Sequence, residues 1–511
     1  MSLRLSVSMT RVGAACIAVF LASACTTFSK DGGFDTVSNA AEARLGKKAV
    51  AVRSETERDA VARQTAELLA KPLSIDDAVQ LALLNNRGLQ AAYSELGLSE
   101  ADLVQAGRLP NPGFTFSRTH WSDSIGISRS FSMSVLSVLT LPMATRIERG
   151  RFEQTKLETA NAMLTVAADA RRAYVEAIAA EQAAVYAKQI GDSAEAGAEL
   201  ARRMRDAGNA SKLDYAREQA FYAQSVADVA KARQQAVAAR EKLTRAMGLW
   251  GGQTRYALPD KLPDLPKDRP RFDDLERFAI ENRLDIQAAK LRTQSVASSL
   301  GLTKAVRFVN ALDAGYLNNF ETDKGHERGY EIGIEIPIFD WGSAKVARAQ
   351  AIYLQSVDRL AQTAVDARSQ VRESYAASLA SYDVAKHFRD EIVPLRKTIS
   401  DEVLLRYNGM LASTFELLAD AREQVSAVNG YIGALKDYWL ADTDLRQALG
   451  GNVPPPASVP APASAPVGTP AADASPSGPP APAAPAAGSG HDESAHAAHK
   501  PAAAAPHEQD H

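Results

Sequence analysis

Residues 146–203 carry helical periodicity without a proline, roughly 58 residues or ~87 Å at 1.5 Å per residue. A break at Asp206-Ala-Gly208-Asn-Ala-Ser211 separates them from a second helical stretch over residues 211–247. Helices of that length cannot satisfy a compact core alone. They need each other and further neighbours, so a coiled-coil hairpin is expected. The aromatic content of 6% suits such packing, because Ala-rich helices approach closely with few large side chains. At 511 residues the chain is also too long for one ordinary core, which favours several domains or an elongated shape.

Strands of an unusual kind flank these helices. Tyr330, Ile332, Ile334, Ile336 and Ile338 alternate with Glu331, Gly333, Glu335 and Pro337, so one strand face is apolar and the other polar. Ile125, Ile127, Arg129, Phe131, Met133 and Val135 alternate with Gly126 and a run of serines, and Phe114, Phe116, Arg118 and His120 with Thr115, Ser117 and Thr119. A Ser/Gly face suits a water-filled lumen and the opposite face suits lipid. Arg129 is the misfit on the apolar face, and snorkelling would carry its charge to the head groups. Pro337 removes a ladder donor, and after Gly342 the pattern turns helical. A membrane barrel continued as a helical tube is the expected architecture.

The plan occurs twice. Ala82-Leu-Leu-Asn-Asn-Arg-Gly-Leu-Gln-Ala-Ala92 aligns with Ala279-Ile-Glu-Asn-Arg-Leu-Asp-Ile-Gln-Ala-Ala289, and Ala-Arg-Glu-Gln recurs at 216–219 and 421–424. The strand pair in 114–136 matches 308–320 and 330–338, and the break at Gly208 matches Gly409. The expected organisation is a first repeat over 73–250, a Pro-rich linker over 251–270 and a second repeat over 271–451. Ser74 should cap a helix running to Gly107, and Pro394 should kink the second long helix where the first carries Ser193. Both glycines at the helical tips are expected to let the backbone turn.

Residues 1–24 read as an export signal: Arg4 and Arg11 precede an apolar run too short to span a bilayer. Leu21-Ala-Ser-Ala-Cys25 resembles a bacterial lipobox, which makes Cys25 the lipidated first residue, and Thr26 favours outer-membrane sorting. Cys16 and Cys25 are the only cysteines, leaving the mature chain no internal disulfide and no Cys nucleophile. Residues 25–72 read as a polar extension, weakly patterned except for a helix over 55–69. Beyond residue 452, fourteen prolines among Ala, Ser and Gly give a composition that cannot bury a core. That tail ends in His491, His496, His499, His507 and His511, imidazoles suited to loosely held Cu(II), Zn(II) or Ni(II).

The duplicated plan, the run Pro337-Ile-Phe-Asp-Trp-Gly-Ser343 and the Gly-containing tips resemble the TolC family of outer-membrane efflux proteins, over roughly residues 73–450. The resemblance implies an α+β membrane protein in a Gram-negative outer membrane. Long helical hairpins would form a periplasmic tunnel, and four strands per chain would join a twelve-stranded barrel in a homotrimer. Trimerisation resolves a difficulty, since four strands cannot close a barrel and an open edge is not tolerated in lipid. It further implies a passive exit duct without cofactor or enzymatic activity, served by a periplasmic adaptor and an inner-membrane pump. The adaptor would meet the tips at Gly208, Asn209, Ala210, Ser211, Gly409, Met410, Leu411, Ala412 and Ser413. Arg203, Arg205, Asp214, Arg406, Tyr407 and Glu416 beside them are candidates for a closing gate. A type I secretion duct, a periplasmic coiled-coil adaptor or structural lipoprotein, and a metal-dependent enzyme or chaperone are the competing readings. The amphipathic strands count against the adaptor. The scatter of His120, His326 and His387 counts against the enzyme.

Overall fold

The computed structural model describes residues 27–121, 123–269 and 272–451; the export signal, Cys25 and the histidines of the tail lie outside them. Helices α1 (Asp35–Leu45) and α2 (Glu55–Leu69) precede the first repeat. That repeat comprises α3 (Ile75–Asn85), α4 (Arg87–Ala106), β1 (Gly113–Trp121), β2 (Ser124–Ser134), α5 (Val135–Asp206) and α6 (Lys212–Met247). The second comprises α7 (Leu275–Asn282), α8 (Leu284–Ala305), β3 (Leu312–Glu321), β4 (Gly325–Ile334), α9 (Ser343–His387), α10 (Val393–Asn408) and α11 (Thr414–Ala448). The four strands form one antiparallel sheet in the order β1-β2-β3-β4.

Local chemistry explains most boundaries. Ser74 and Asp77 form a capping box at the start of α3, satisfying two orphan donors reciprocally. The helix expected to run unbroken to Gly107 is interrupted at Asn86, whose Oδ1 accepts from Leu89 N at 3.0 Å and starts α4. The long helix expected from residue 146 begins at Val135, directly after β2, and continues for 72 residues. Pro142 reads as a breaker but sits inside α5, at the cost of one backbone hydrogen bond. The interruption expected at Pro394 takes the form of a π-turn over Phe388–Ile392, with the proline in the first turn of α10. The Phe388 ring fills the space beside Gly430, where a Cβ would come within 2.6 Å of it.

The strand expected over 330–338 lies earlier, at Gly325–Ile334. Glu335 N still reaches Ala311 O at 3.2 Å, but Ile338 N turns back to Ile336 O and the ladder ends before Pro337. Gly342 then opens α9 with φ 71°, and a Cβ there would lie 2.8 Å from Arg307 O. Left-handed backbone and steric closure both demand glycine. Gly342→Ala should destabilise the strand-to-helix junction by about 2 kcal/mol. The check is thermal unfolding of the purified assembly; an unchanged midpoint would refute the packing account.

The polar extension turns out to be part of the core. Val37 and Ala41 of α1 are completely buried, and the Phe34 ring meets Tyr93 edge-on at 5.0 Å. Between α1 and α2 the chain is extended and borrows partners from two side chains. Gln80 accepts from Lys48 N and donates to Lys48 O; Gln90 accepts from Val52 N and donates to Val50 O. The glutamine amides thus stand in for a neighbouring strand. Arg44 donates to Gly450 O at 2.6 Å and Asn282 O at 2.9 Å, tying the extension to the second repeat. The largest buried cluster gathers Leu73, Leu81, Ile178, Leu243, Met247 and Tyr438 where α3, α5, α6 and α11 meet. There Tyr174 donates to Leu73 O at 2.8 Å, and burial pushes its hydroxyl up to about 12.

Candidate functional site: sheet faces and hairpin tips

The register sorts the sheet into two faces. Ser117, Ser128, Asn319 and Glu327 stand in one cross-strand row, and Ser132, Gly315 and Glu331 in another. Small polar groups fill this face on β1 and β2, and carboxylates join them on β3 and β4. Asp313, Glu321, Glu327, Glu331 and Glu335 all lie on it, and no Lys or Arg of the strands does. The opposite face carries Phe114, Phe131, Tyr316 and Tyr330 in one row, with ring centroids 4.8 Å apart for the phenylalanines and 5.8 Å for the tyrosines. Below it Ile332, Ile334, Ile336, Ile338, Phe339 and Trp341 are all exposed. Such an apolar band is intelligible against lipid. Among the described residues no helix is long and apolar enough to cross a membrane.

At the far ends of the helices are the tips. In the first, Gly208 has φ 78°, Asn209 N closes onto Met204 O at 2.7 Å, and the Ser211 hydroxyl accepts from Asp214 N to start α6. In the second, Leu411 N closes onto Arg406 O at 2.8 Å, and the Ser413 hydroxyl accepts from Glu416 N to start α11. The two turns are alike, yet the left-handed residue in the second is Met410, with φ 59°, while Gly409 has φ −81°. The expectation that Gly409 supplies the turn is therefore corrected: Gly208 corresponds to Met410. Ala210 and Ala412 lie between the turn and the cap in each tip.

The six gate candidates surround these turns, and their hydrogen bonds and ion pairs stay within their own hairpins. Arg203 and Arg202 both bind Glu199 and hold its carboxyl down to about 2. Arg205 pairs with Asp206 and stacks on the Tyr215 ring at 4.1 Å; Asp214 is held by Ser211. Arg406 pairs with Glu402 at 3.2 Å, Tyr407 O accepts from Met410 N, and Glu416 N is the capped donor of α11.

A contact between the hairpins was not expected from the sequence. Arg422 of α11 forms an ion pair with buried Glu218 of α6 and lies 3.7 Å over the Phe221 ring. Gly197 of α5 leaves room for it, since a Cβ there would meet Leu418 at 3.2 Å and Glu218 at 3.4 Å. Both partners belong to the duplicated Ala-Arg-Glu-Gln motif, with the glutamate taken from one copy and the arginine from the other. That recurrence was the available signal.

Paired long hairpins and a two-faced sheet define a membrane channel with a helical extension. The sequence matches the outer membrane efflux protein family model over residues 78–249 and 277–451, and the chain belongs to that family. It is 23% identical over 395 residues to the cobalt-zinc-cadmium resistance protein CzcC of Cupriavidus metallidurans, covering 75% of this chain and 91% of that protein. The fold is similar to the CmeC outer membrane channel of Campylobacter jejuni (TM-score 0.65, 16% identity, 74% of this chain and 85% of that one). It is also similar to the open-state MtrE outer membrane channel of Neisseria gonorrhoeae (TM-score 0.60, 18% identity, 74% and 88%). The TolC-type architecture expected from the residues is therefore the one found. The chain is an outer-membrane exit duct of a tripartite efflux system. Three copies complete the barrel, and a periplasmic adaptor and inner-membrane pump deliver the cargo.

Proposed function

We propose that the cargo of this duct is a divalent transition-metal cation. The observation that carries the reading is the sorting of charge on the lumen face, where five carboxylates face water with no strand cation beside them. In a trimer these groups recur around the bore and draw cations through a low-dielectric wall. The relationship to a cobalt-zinc-cadmium resistance protein supports the same cargo. Among the described residues no group of three or more His, Cys, Asp or Glu is placed to hold a metal. We further assign the histidines of residues 491–511 a gathering role before entry, the lipid anchor to Cys25, and the adaptor contact to the two tips. The duct does no chemistry; the pump supplies the energy.

Cells lacking the chain should lose zinc, cobalt or cadmium tolerance while drug tolerance is unchanged. Deleting residues 452–511 should lower metal tolerance in part. In planar bilayers the trimer should prefer cations, and Asp313→Asn with Glu327→Gln and Glu331→Gln should move the reversal potential toward zero. Identical reversal potentials for the two proteins, with metal tolerance indifferent to the chain, would sink the proposal.

A further inference from the structure

All the arginines of the strands lie on the outward face. Arg118, Arg129 and Arg328 alternate away from the carboxylates, and no Asp or Glu occupies an outward position on any strand. Arg129, Asn318 and Arg328 stand in the row next to the Phe114–Phe131–Tyr316–Tyr330 row, about 7 Å farther from the helices. Arg118 and His326 occupy the outward row beyond that. All three arginines are exposed, and none of their side chains has an ion pair, hydrogen bond or ring partner among the described residues. The remaining charges at this end are Asp123, Asp323 and Lys324 in the turns, with Lys324 paired to Glu321.

Order along the outward face gives these arginines a place. From the helices toward the turns, the isoleucine band of β4 and the aromatic row precede the arginines, which share their rows with Phe116, Ile127 and Phe320. Aromatic rows mark the edge of the hydrocarbon in transmembrane barrels, and arginine is disfavoured at mid-bilayer but tolerated beyond that edge. The helices lie on the periplasmic side, so the arginine rows fall at the head groups of the outer leaflet. Guanidinium pairs with phosphate through parallel hydrogen bonds, and lipid phosphates supply the counter-charge that the protein withholds.

We propose that Arg118, Arg129 and Arg328 form a docking belt for phosphate groups of outer-leaflet glycolipids. The belt rests on the outer-membrane placement above. In the closed barrel β4 of one copy adjoins β1 of the next, so Arg328 and Arg118 share the seam between subunits. A bound glycolipid therefore bridges protomers and stabilises the trimer.

The test is native mass spectrometry of the full-length trimer, released from detergent after incubation with bis-phosphorylated lipid A, its dephosphorylated form or phosphatidylglycerol. Wild-type trimers should retain the phosphorylated glycolipid at least tenfold over both others. Arg118→Gln, Arg129→Gln and Arg328→Gln together should abolish that preference, while the three lysine substitutions should keep most of it. Equal retention by wild type and glutamine variant, or equal retention of phosphatidylglycerol, would overturn the belt. Thermal protection by inorganic phosphate matching that by the glycolipid would make it a free-anion site and overturn the lipid assignment. Should the glutamine variant fail to assemble, the wild-type comparison of the two lipid A forms decides alone. Trimers that do not insert into membranes would defeat the placement itself; inserted trimers indifferent to phosphate would defeat only the docking.

Discussion

Arg422→Ala should open the periplasmic end of the duct. Expected are a severalfold rise in bilayer conductance events and new sensitivity to large antibiotics that a closed duct excludes. Arg422 is the ionic link from the second hairpin to the first nearest the tips, the Arg172–Asp444 pair lying far from them, and its partner Glu218 has a side chain only 6% exposed among the described residues. Removing one member of a buried pair leaves the other charge without a counter-ion, typically at ~3–5 kcal/mol. The lower end applies, because the Arg422 side chain keeps 29% of its exposure and water can partly replace it. A loss of about 3 kcal/mol moves a two-state hairpin equilibrium by roughly two orders of magnitude. The contact lies about two turns from the tip of the second hairpin. Glu218→Gln should leak less, since the amide still accepts from the guanidinium. Wild-type conductance in Arg422→Ala trimers of normal yield would show that the link is merely structural.

The reasons this link escaped the sequence also show what a sequence can carry. Strand alternation was legible because serine and isoleucine disagree so plainly about water, and the register bears out both faces of β2. The paired hairpins were legible because the chain repeats its own breaks. The start of α5 was not, since Pro142 reads as a stop when considered locally but sits in a helix held by its neighbours. The extension looked detached because its burial depends on Gln80 and Gln90, polar residues that announce no core. Glu218 and Arg422 look like ordinary helix-surface charges, 204 residues apart, and only folding brings them together. At the second tip, glycine drew attention to Gly409, while the unusual backbone belongs to its neighbour.

That neighbour yields the sharpest test of the tips. Met410→Gly should stabilise the protein and impair the pump. A non-glycine residue at φ 59° bears a backbone cost of about 1–2 kcal/mol, and glycine relieves most of it. A position serving only the turn would gain from the exchange and lose nothing. Yet Met410 is 94% exposed and Leu411 82%, so two apolar side chains project into water at the point where α10 hands over to α11. Strain retained beside exposed apolar surface is intelligible if a partner covers both. Covering one methionine side chain contributes about 1.5–3 kcal/mol. Its removal should therefore weaken capture of the adaptor by tenfold or more, and three copies per duct amplify the loss. Thermal unfolding should rise while adaptor affinity, read by surface plasmon resonance on immobilised trimers, falls. Leu411→Ala should weaken binding without the gain in stability. A stabilised Met410→Gly trimer that binds adaptor as tightly as wild type would remove Met410 from the docking surface and leave the first tip, around Gly208, to carry it.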